Sequence, residues 1–272
     1  MNKLITKIDR EGYVIIPNIL SKEKCDILYK KIEKIYSKNR SNNYNLHQYG
    51  QQSVRDLILI DPKTFLPIIS QKIILNLIKN IFNDIFILDN SMASNSVKVG
   101  KNYNTKPHID SHLPSNTLEN TTDVVVMYCI NDFYKENGST ILWKGSHKSG
   151  IRIQNKPNSI KKKNYKKIHL NAKRGSAIIC LGQIWHQVGK NLNGQKRWSI
   201  INHYKRWWMK PATDFTFCGK KIFSTLNADQ KELLGFNSKS PKYDLKSGDR
   251  RYYTLTDKKK IPKNYSSARD LK

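Results

Sequence analysis

The chain has 272 residues, 38% of them hydrophobic, so size is no obstacle to a substantial core in one large domain or two small ones. No run of about 18 apolar residues occurs and the first residues lack a signal peptide's apolar middle, which argues against a membrane span and for a cytoplasmic protein; Cys25, Cys129, Cys180 and Cys218 form no Cys-x-x-Cys pair, which argues against a zinc knuckle or disulfide framework and for buried thiols. The formal charge of +28 points to nucleic acid, an anionic surface or an acidic small molecule, yet lysines outnumber arginines about four to one, as AT-rich codon usage alone would write.

In chain order, residues 11–17 read as a short β-branched strand closed by Pro17. Ser21 caps a helix over 21–38, with Cys25, Leu28, Ile32 and Ile35 at helical spacing and lysines on the other face. Residues 39–54 are polar, Asn-rich and without period, which predicts a loop. A helical stretch starts at Asp61-Pro62, breaks near Pro67 and restarts after Ser70 to run to about Phe82, with Ile73, Leu77 and Ile81 on one face. These helices are expected to buttress a sheet.

From residue 85 the texture changes to short strands, expected at 85–88, 96–99, 124–130, 139–143, 168–170, 177–181 and 198–204. Turn signals separate them, including Asp89-Asn90, Asn137-Gly138 and Asn193-Gly194. The spacing suggests a sandwich or jelly roll, so the fold class is mainly β with flanking helices. The lysine run 161–167 reads as a solvated insertion. After Pro211 one helix is well signalled by Asn227 as cap, Gln230 three residues on and Gly235 as stop. The polar, lysine-rich stretch 238–272 is expected to be irregular. The chain thus divides into an N-terminal part at 1–84, a β core at 85–210 and a C-terminal extension at 211–272, within a single domain.

Two motifs carry chemistry. Lys106-Pro107-His108-Ile109-Asp110-Ser111 puts an imidazole and a carboxylate two apart, so that on an extended segment both project to one side. Ile184-Trp185-His186 follows the apolar run that begins at Ala177, and Arg197 stands eleven residues beyond His186. Two histidines and a carboxylate are the donors of a facial triad for non-haem Fe(II), which leaves coordination positions open. Arg197 beside it suits a bidentate pair with a carboxylate. His-x-Asp alone is common by chance, and the ordered set is what raises its weight. His112 reads as an exposed loop residue or a cavity residue, His147 as structural, and His203 as lining the barrel or packing its core. Trp143, Trp207 and Trp208 read as core aromatics, with substrate contact as the alternative.

These residues also carry a resemblance. Gly12 to Cys25, the turn Asn137-Gly138-Ser139 to Gly145-Ser146-His147-Lys148, and Gly175-Ser176-Ala177 to His186 with Arg197 beyond are similar to the phytanoyl-CoA dioxygenase family of Fe(II)/2-oxoglutarate oxygenases. Lys144 stands where that family's turn usually has proline. The resemblance implies a double-stranded β-helix, with His108, Asp110 and His186 as catalytic iron ligands and Arg197 receiving the distal carboxylate of 2-oxoglutarate. Ser199 would assist it, and Lys98 would contact co-substrate or substrate. It implies hydroxylation with consumption of dioxygen and release of succinate and carbon dioxide; family members that halogenate have a small residue where Asp110 stands.

The substrate class this suggests is a small molecule, anionic if the positive surface is functional, contacted by residues 39–54, 111–122 and 150–166. An oxygenase acting on nucleic acid or a nucleotide ranks lower, because base-stacking and groove-reading motifs are absent. A non-catalytic jelly-roll binding protein is the third reading.

Overall fold

The computed structural model describes residues 1–38, 50–161 and 164–238, with the backbone alone at 47–48, 162, 243–244 and 249–250. Helix α1 (Asn2–Glu11) stops at Gly12, whose φ of 83° is left-handed, and leads into β1 (Tyr13–Ile16). Gly12 is required on a second count: a Cβ there would lie 2.5 Å from Nδ1 of His147. Helix α2 (Lys22–Lys38) is capped by Ser21, whose hydroxyl accepts from the Lys24 amide at 3.1 Å, and buries Cys25, Leu28 and Ile32.

The expected loop at 39–54 is only partly one. Strands β2 (His47–Gln48) and β3 (Gln51–Val54) form a hairpin on the edge of the main sheet, and the remaining positions 39–46 and 49 lie outside the described residues. Helix α3 (Leu57–Ile60) is followed by α4 (Pro62–Ile69) and α5 (Lys72–Phe82). The break falls at Ser70-Gln71 and Pro67 sits inside α4. In α5 the buried face is Ile74, Leu77, Ile78 and Ile81, whereas Ile73 is 44% exposed. Leu77 and Ile81 lie on the buried face as expected, and Ile73 alone does not, Ile74 taking its place.

Strand β4 (Phe86–Ser96) runs through the expected turn at Asp89-Asn90. The turn signal marks a bulge: Asn90 pairs with His203 and Leu88 with Tyr204, leaving Asp89 as the extra residue. Strand β5 (Asp123–Cys129), β6 (Ile141–Lys144), the single-turn helix α6 (Ser159–Lys162), β7 (Lys166–His169), β8 (Ala177–Leu181), β9 (His186–Gln187) and β10 (Trp198–Arg206) complete the core. Lys166 and Lys167, read as part of a solvated loop, belong to β7, and Lys167 Nζ lies 5.3 Å from the Trp143 ring centroid. Short helices α7 (Gly219–Phe223) and α8 (Ala228–Leu233) follow, the latter with the full Asn227/Gln230 capping box. Apart from the paired strands Tyr243–Asp244 and Asp249–Arg250, the stretch 239–272 lies outside the described residues.

Two sheets face each other, one ordered β1-β8-β5-β10-β4-β3-β2 and one ordered β7-β6-β9, with every strand pair antiparallel. This is the double-stranded β-helix. Alternation divides each central strand between two cores. Val124, Val126, Tyr128, Ile179, Trp198, Ile200 and Tyr204 face the helices, while Val125, Met127, Ile178 and Cys180 meet Leu142 and Leu170 of the small sheet. Cys25, Cys129 and Cys180 are buried thiols as expected, and Cys218 is half-buried. Trp143 is buried, but Trp207 and Trp208 are 41% and 54% exposed, since β10 ends at Arg206 and its alternation ends with it. No single helix among the described residues is long and apolar enough to cross a membrane.

Candidate metal centre

Between the sheets His108, Asp110 and His186 converge. Their ligand atoms all lie within 4.8 Å of one another, with Asp110 Oδ1 3.7 Å from His108 Nε2 and Oδ2 3.6 Å from His186 Nε2. Backbone bonds create the meeting. His108 and His186 exchange amide-to-carbonyl bonds of 2.9 Å each way, an isolated antiparallel bridge that brings their rings to a centroid distance of 4.2 Å. The amides of Asp110 and Ser111 both donate to the Gly182 carbonyl, at 2.9 and 3.0 Å.

Each imidazole is turned the same way. Nδ1 of His186 lies 3.1 Å from the Ile184 carbonyl and Nδ1 of His108 lies 3.4 Å from that of Lys106. An Nδ1 proton shared with those carbonyls leaves both Nε2 lone pairs for a cation. Burial, then the neighbouring His186, hold His108 below the ordinary histidine value, so it is neutral at neutral pH. Burial acts to raise the Asp110 carboxyl, but His186, His203, His108 and Lys205 outweigh it and the group is held below its ordinary value. A neutral His108 and an ionised Asp110 are in the protonation states in which they can ligate a divalent metal.

The distal histidine is anchored from behind. Trp185, fully buried, donates its amide to Ser146 Oγ at 2.9 Å and its indole N–H to the Ile151 carbonyl at 3.0 Å. In the same turn His147 Nε2 lies 2.8 Å from the Asp9 carbonyl, which gives it the structural role expected. Lys144, the departure from the family turn, pairs with buried Glu11 at 3.0 Å.

The triad opens on a cavity of about 680 Å³. Met92, Val125, Met127, Leu142, Cys180 and Ile201 supply its apolar wall, Ser94, Thr140, Gln51 and Gln187 its polar one, and Asn104, Thr105 and Lys106 its rim. His203 lines it; His112 is exposed and does not. Among the described residues of 39–54, 111–122 and 150–166, the stretches expected to meet substrate, Gln51 alone lines it.

Arg197 is 2% exposed, its guanidinium carbon 4.5 Å over the Phe133 ring. Its Nε has no hydrogen-bond partner, no carboxylate among the described residues pairs with it, and burial pushes its pKa down to about 10. Ser199, also buried, is one alternation further; its hydroxyl is engaged with the Ser94 carbonyl at 3.3 Å. Lys98 is not brought to the cavity. It is exposed, its backbone bridges Asn191, and its stem passes Gly194.

A charge cluster under the triad escaped the sequence reading. Lys205 Nζ is 3.0 Å from Asp89 Oδ1 and 3.9 Å from Asp123 Oδ1, all three residues buried. The period-two series Arg197, Ser199, Ile201, His203 reaches Lys205 at its next step, which was the available signal.

A model of the phytanoyl-CoA dioxygenase (PhyH) family matches residues 8–199. An uncharacterized protein of Mycobacterium tuberculosis is 26% identical over 117 residues, 43% of this chain and 41% of that protein, so the match spans about two-fifths of the mycobacterial relative's length. An uncharacterized protein of Saccharomyces cerevisiae is 21% identical over 264 residues, 88% of this chain and 74% of its own. Two solved structures share the fold. The epimerase SnoN in complex with Fe3+, alpha ketoglutarate and nogalamycin RO has a TM-score of 0.62 at 15% identity, covering 84% of this chain and 90% of that one. HygX from Streptomyces hygroscopicus with nickel and 2-oxoglutarate bound has a TM-score of 0.63 at 12% identity, covering 78% and 89%.

Proposed function

The chain belongs to the phytanoyl-CoA dioxygenase family, and on that premise we propose that it is an Fe(II)- and 2-oxoglutarate-dependent dioxygenase that hydroxylates a small anionic molecule. The convergence of His108, Asp110 and His186 within 4.8 Å carries the reading, because two imidazoles and a carboxylate are the donors a facial triad requires. The residues fit the group on a second, independent ground: Arg197 is a buried cation without a counter-ion among the described residues, an arrangement that a bound dicarboxylate would complete.

Fe(II) held by the triad together with 2-oxoglutarate would supply activation of dioxygen coupled to decarboxylation of the co-substrate, with succinate and carbon dioxide as products. His108 and His186 bind through Nε2, with Nδ1 oriented by the Lys106 and Ile184 carbonyls. Arg197 receives the distal carboxylate. Ser199, whose hydroxyl now faces the Ser94 carbonyl, lies next along the same face to assist it. Val125, Met127, Leu142 and Cys180 exclude water from the reacting face.

The substrate class follows from the wall. Asp110 is its sole carboxylate among the described residues and is committed to the metal, whereas Lys106 supplies positive charge. Such a wall disfavours ammonium groups and suits a carboxylate or phosphate ester.

The test is direct. Protein purified without oxygen is given Fe(II), 2-oxoglutarate and air, succinate is followed, and a cell extract is searched by mass spectrometry for a gain of one oxygen. Succinate should form with the native protein and not with His186→Ala. Absence of metal binding together with absence of succinate would reject the reading.

A further inference from the structure

The carboxylate of Asp110 makes no hydrogen bond of its own among the described residues; its oxygens stand 3.6 and 3.7 Å from the two imidazoles. Something else must fix it where a metal needs it. Its backbone docks on Gly182, and the next residue, Ser111, is fully buried with its side chain rooted in the sheet. The Ser111 hydroxyl lies 2.7 Å from Thr122 Oγ1 and 2.8 Å from the Leu113 carbonyl, and its single proton serves both, donated to Thr122 when Thr122 donates onward. Thr122 donates in turn to Asp123 Oδ2 at 2.6 Å. The other oxygen of Asp123 faces Lys205 Nζ at 3.9 Å, and Lys205 is paired with Asp89. Asp89 is held by the Ala212 amide at 2.6 Å. The loop is closed a second time by the backbone, where the Gly182 amide donates to the Asp123 carbonyl at 2.7 Å.

We infer that Ser111 and Thr122 are positioning residues for the metal-binding carboxylate, tying the Asp110 segment to the buried Asp123–Lys205–Asp89 cluster so that the triad is formed before a metal arrives. This rests on the metal reading of the triad and adds residues that touch neither metal nor substrate. Three features support it beyond proximity. The two hydroxyls are buried, so water cannot replace them. They join a ligand-bearing loop to strand β5, whose end is otherwise 12 residues away along the chain from Ser111. And a cluster of one lysine and two aspartates is an expensive thing to bury unless its geometry is used. Fixing the ligand in advance removes an ordering cost from metal binding.

The experiment uses the full chain and Co(II), titrated anaerobically without co-substrate by calorimetry and by the visible ligand-field bands of the bound ion, with the melting temperature of the metal-free protein measured alongside. Native protein should bind one equivalent. Ser111→Ala and Thr122→Val should each weaken Co(II) binding about tenfold, the scale on which outer-shell partners act, and Thr122→Ser, which keeps the hydroxyl, should restore it. Because the two hydroxyls act in one chain, the double variant should bind no more weakly than either single one. A purely structural role would lower the melting temperatures and leave the Co(II) affinity and bands of the folded protein unchanged, and that result overturns the proposal. Multiplying losses in the double variant would overturn it as well. If native protein and His186→Ala bind Co(II) equally weakly, the metal reading itself fails, which the native control separates from failure of the positioning role alone.

Discussion

One strand face carries two buried cations of opposite fate. At one end of β10, Lys205 is closed off by Asp89 and Asp123; at the other, Arg197 has a phenyl ring beneath it and no carboxylate among the described residues. Both are more than nine-tenths buried. The difference separates a charge that the described residues satisfy from one that no carboxylate among them pairs with. Desolvating a cation costs several kcal/mol unless a counter-charge repays it, so the lysine end holds the fold, and the arginine end is where the proposed dicarboxylate co-substrate would supply the missing charge.

The contrast breaks most visibly at the lysine. Lys205→Met leaves two aspartates facing each other in the interior, and should destabilise the protein by about 3–5 kcal/mol in urea unfolding. Retained stability would mean that the cluster is not a closed structural unit. Arg197→Met should do the reverse. It removes an unpaired charge, so the metal-free protein should melt no lower than the native one, while binding of 2-oxoglutarate to the metal-loaded protein weakens by about 2–5 kcal/mol in titration. A melting temperature that falls as far as that of Lys205→Met would erase the distinction between the two ends.

A third substitution acts where the metal loop meets the closed cluster. A Cβ on Gly182 would lie 2.5 Å from Asp123 Cβ and 3.0 Å from its carbonyl oxygen. Gly182→Ala should therefore cost about 1–3 kcal/mol of stability and shift Asp110, since the Gly182 carbonyl accepts from the Asp110 and Ser111 amides. Weaker Co(II) binding than in the native protein is the accompanying readout; unchanged stability would show that the backbones there can part freely.

The open end was readable in the sequence and the closed end was not, for a physical reason. Arg197 and the triad announce themselves by chemistry: residue types that are costly to bury, in an order that a known family shares. Period-two alternation then placed Ser199 and His203 on the inner face, and the strands 124–130, 177–181 and 198–204 were found because their β-branched runs are buried on both sides. Lys205 went unread because in a chain with 49 Lys and Arg residues a lysine carries almost no signal, and its partners come from other strands. Asp89 was misread because a bulge and a turn favour the same residue types. Lys98, made prominent by its motif position, is an exposed lysine and, like Arg197 and Ser199, does not line the cavity. The exposure of Ile73 in α5 and of Trp207 and Trp208 was set by tertiary packing that no local period contains.

His147 tests the same logic on a group that can discard its charge. Buried at 1% exposure, it satisfies one nitrogen on the Asp9 carbonyl and leaves Nδ1 without a partner. Burial first, with Lys148 adding to it, holds its pKa below the usual 6.5. The unfolded chain therefore takes up a proton at a higher pH than the folded one. The neutral ring's contribution to stability is fully present above about 6.5 and is lost as pH falls through that value toward the lower folded one. His147→Gln keeps an N–H for the Asp9 carbonyl and cannot titrate. The native protein should lose melting temperature between pH 7.5 and 5.5 more steeply than the variant, by a margin smaller than any effect above. His108 and His169, also held below the usual value by burial, titrate in both proteins and drop out of the difference. Parallel melting curves across that range would mean that the folded protein protonates His147 as readily as water does, and a buried ring able to do so would have to find, on protonation, a partner for the nitrogen that now has none.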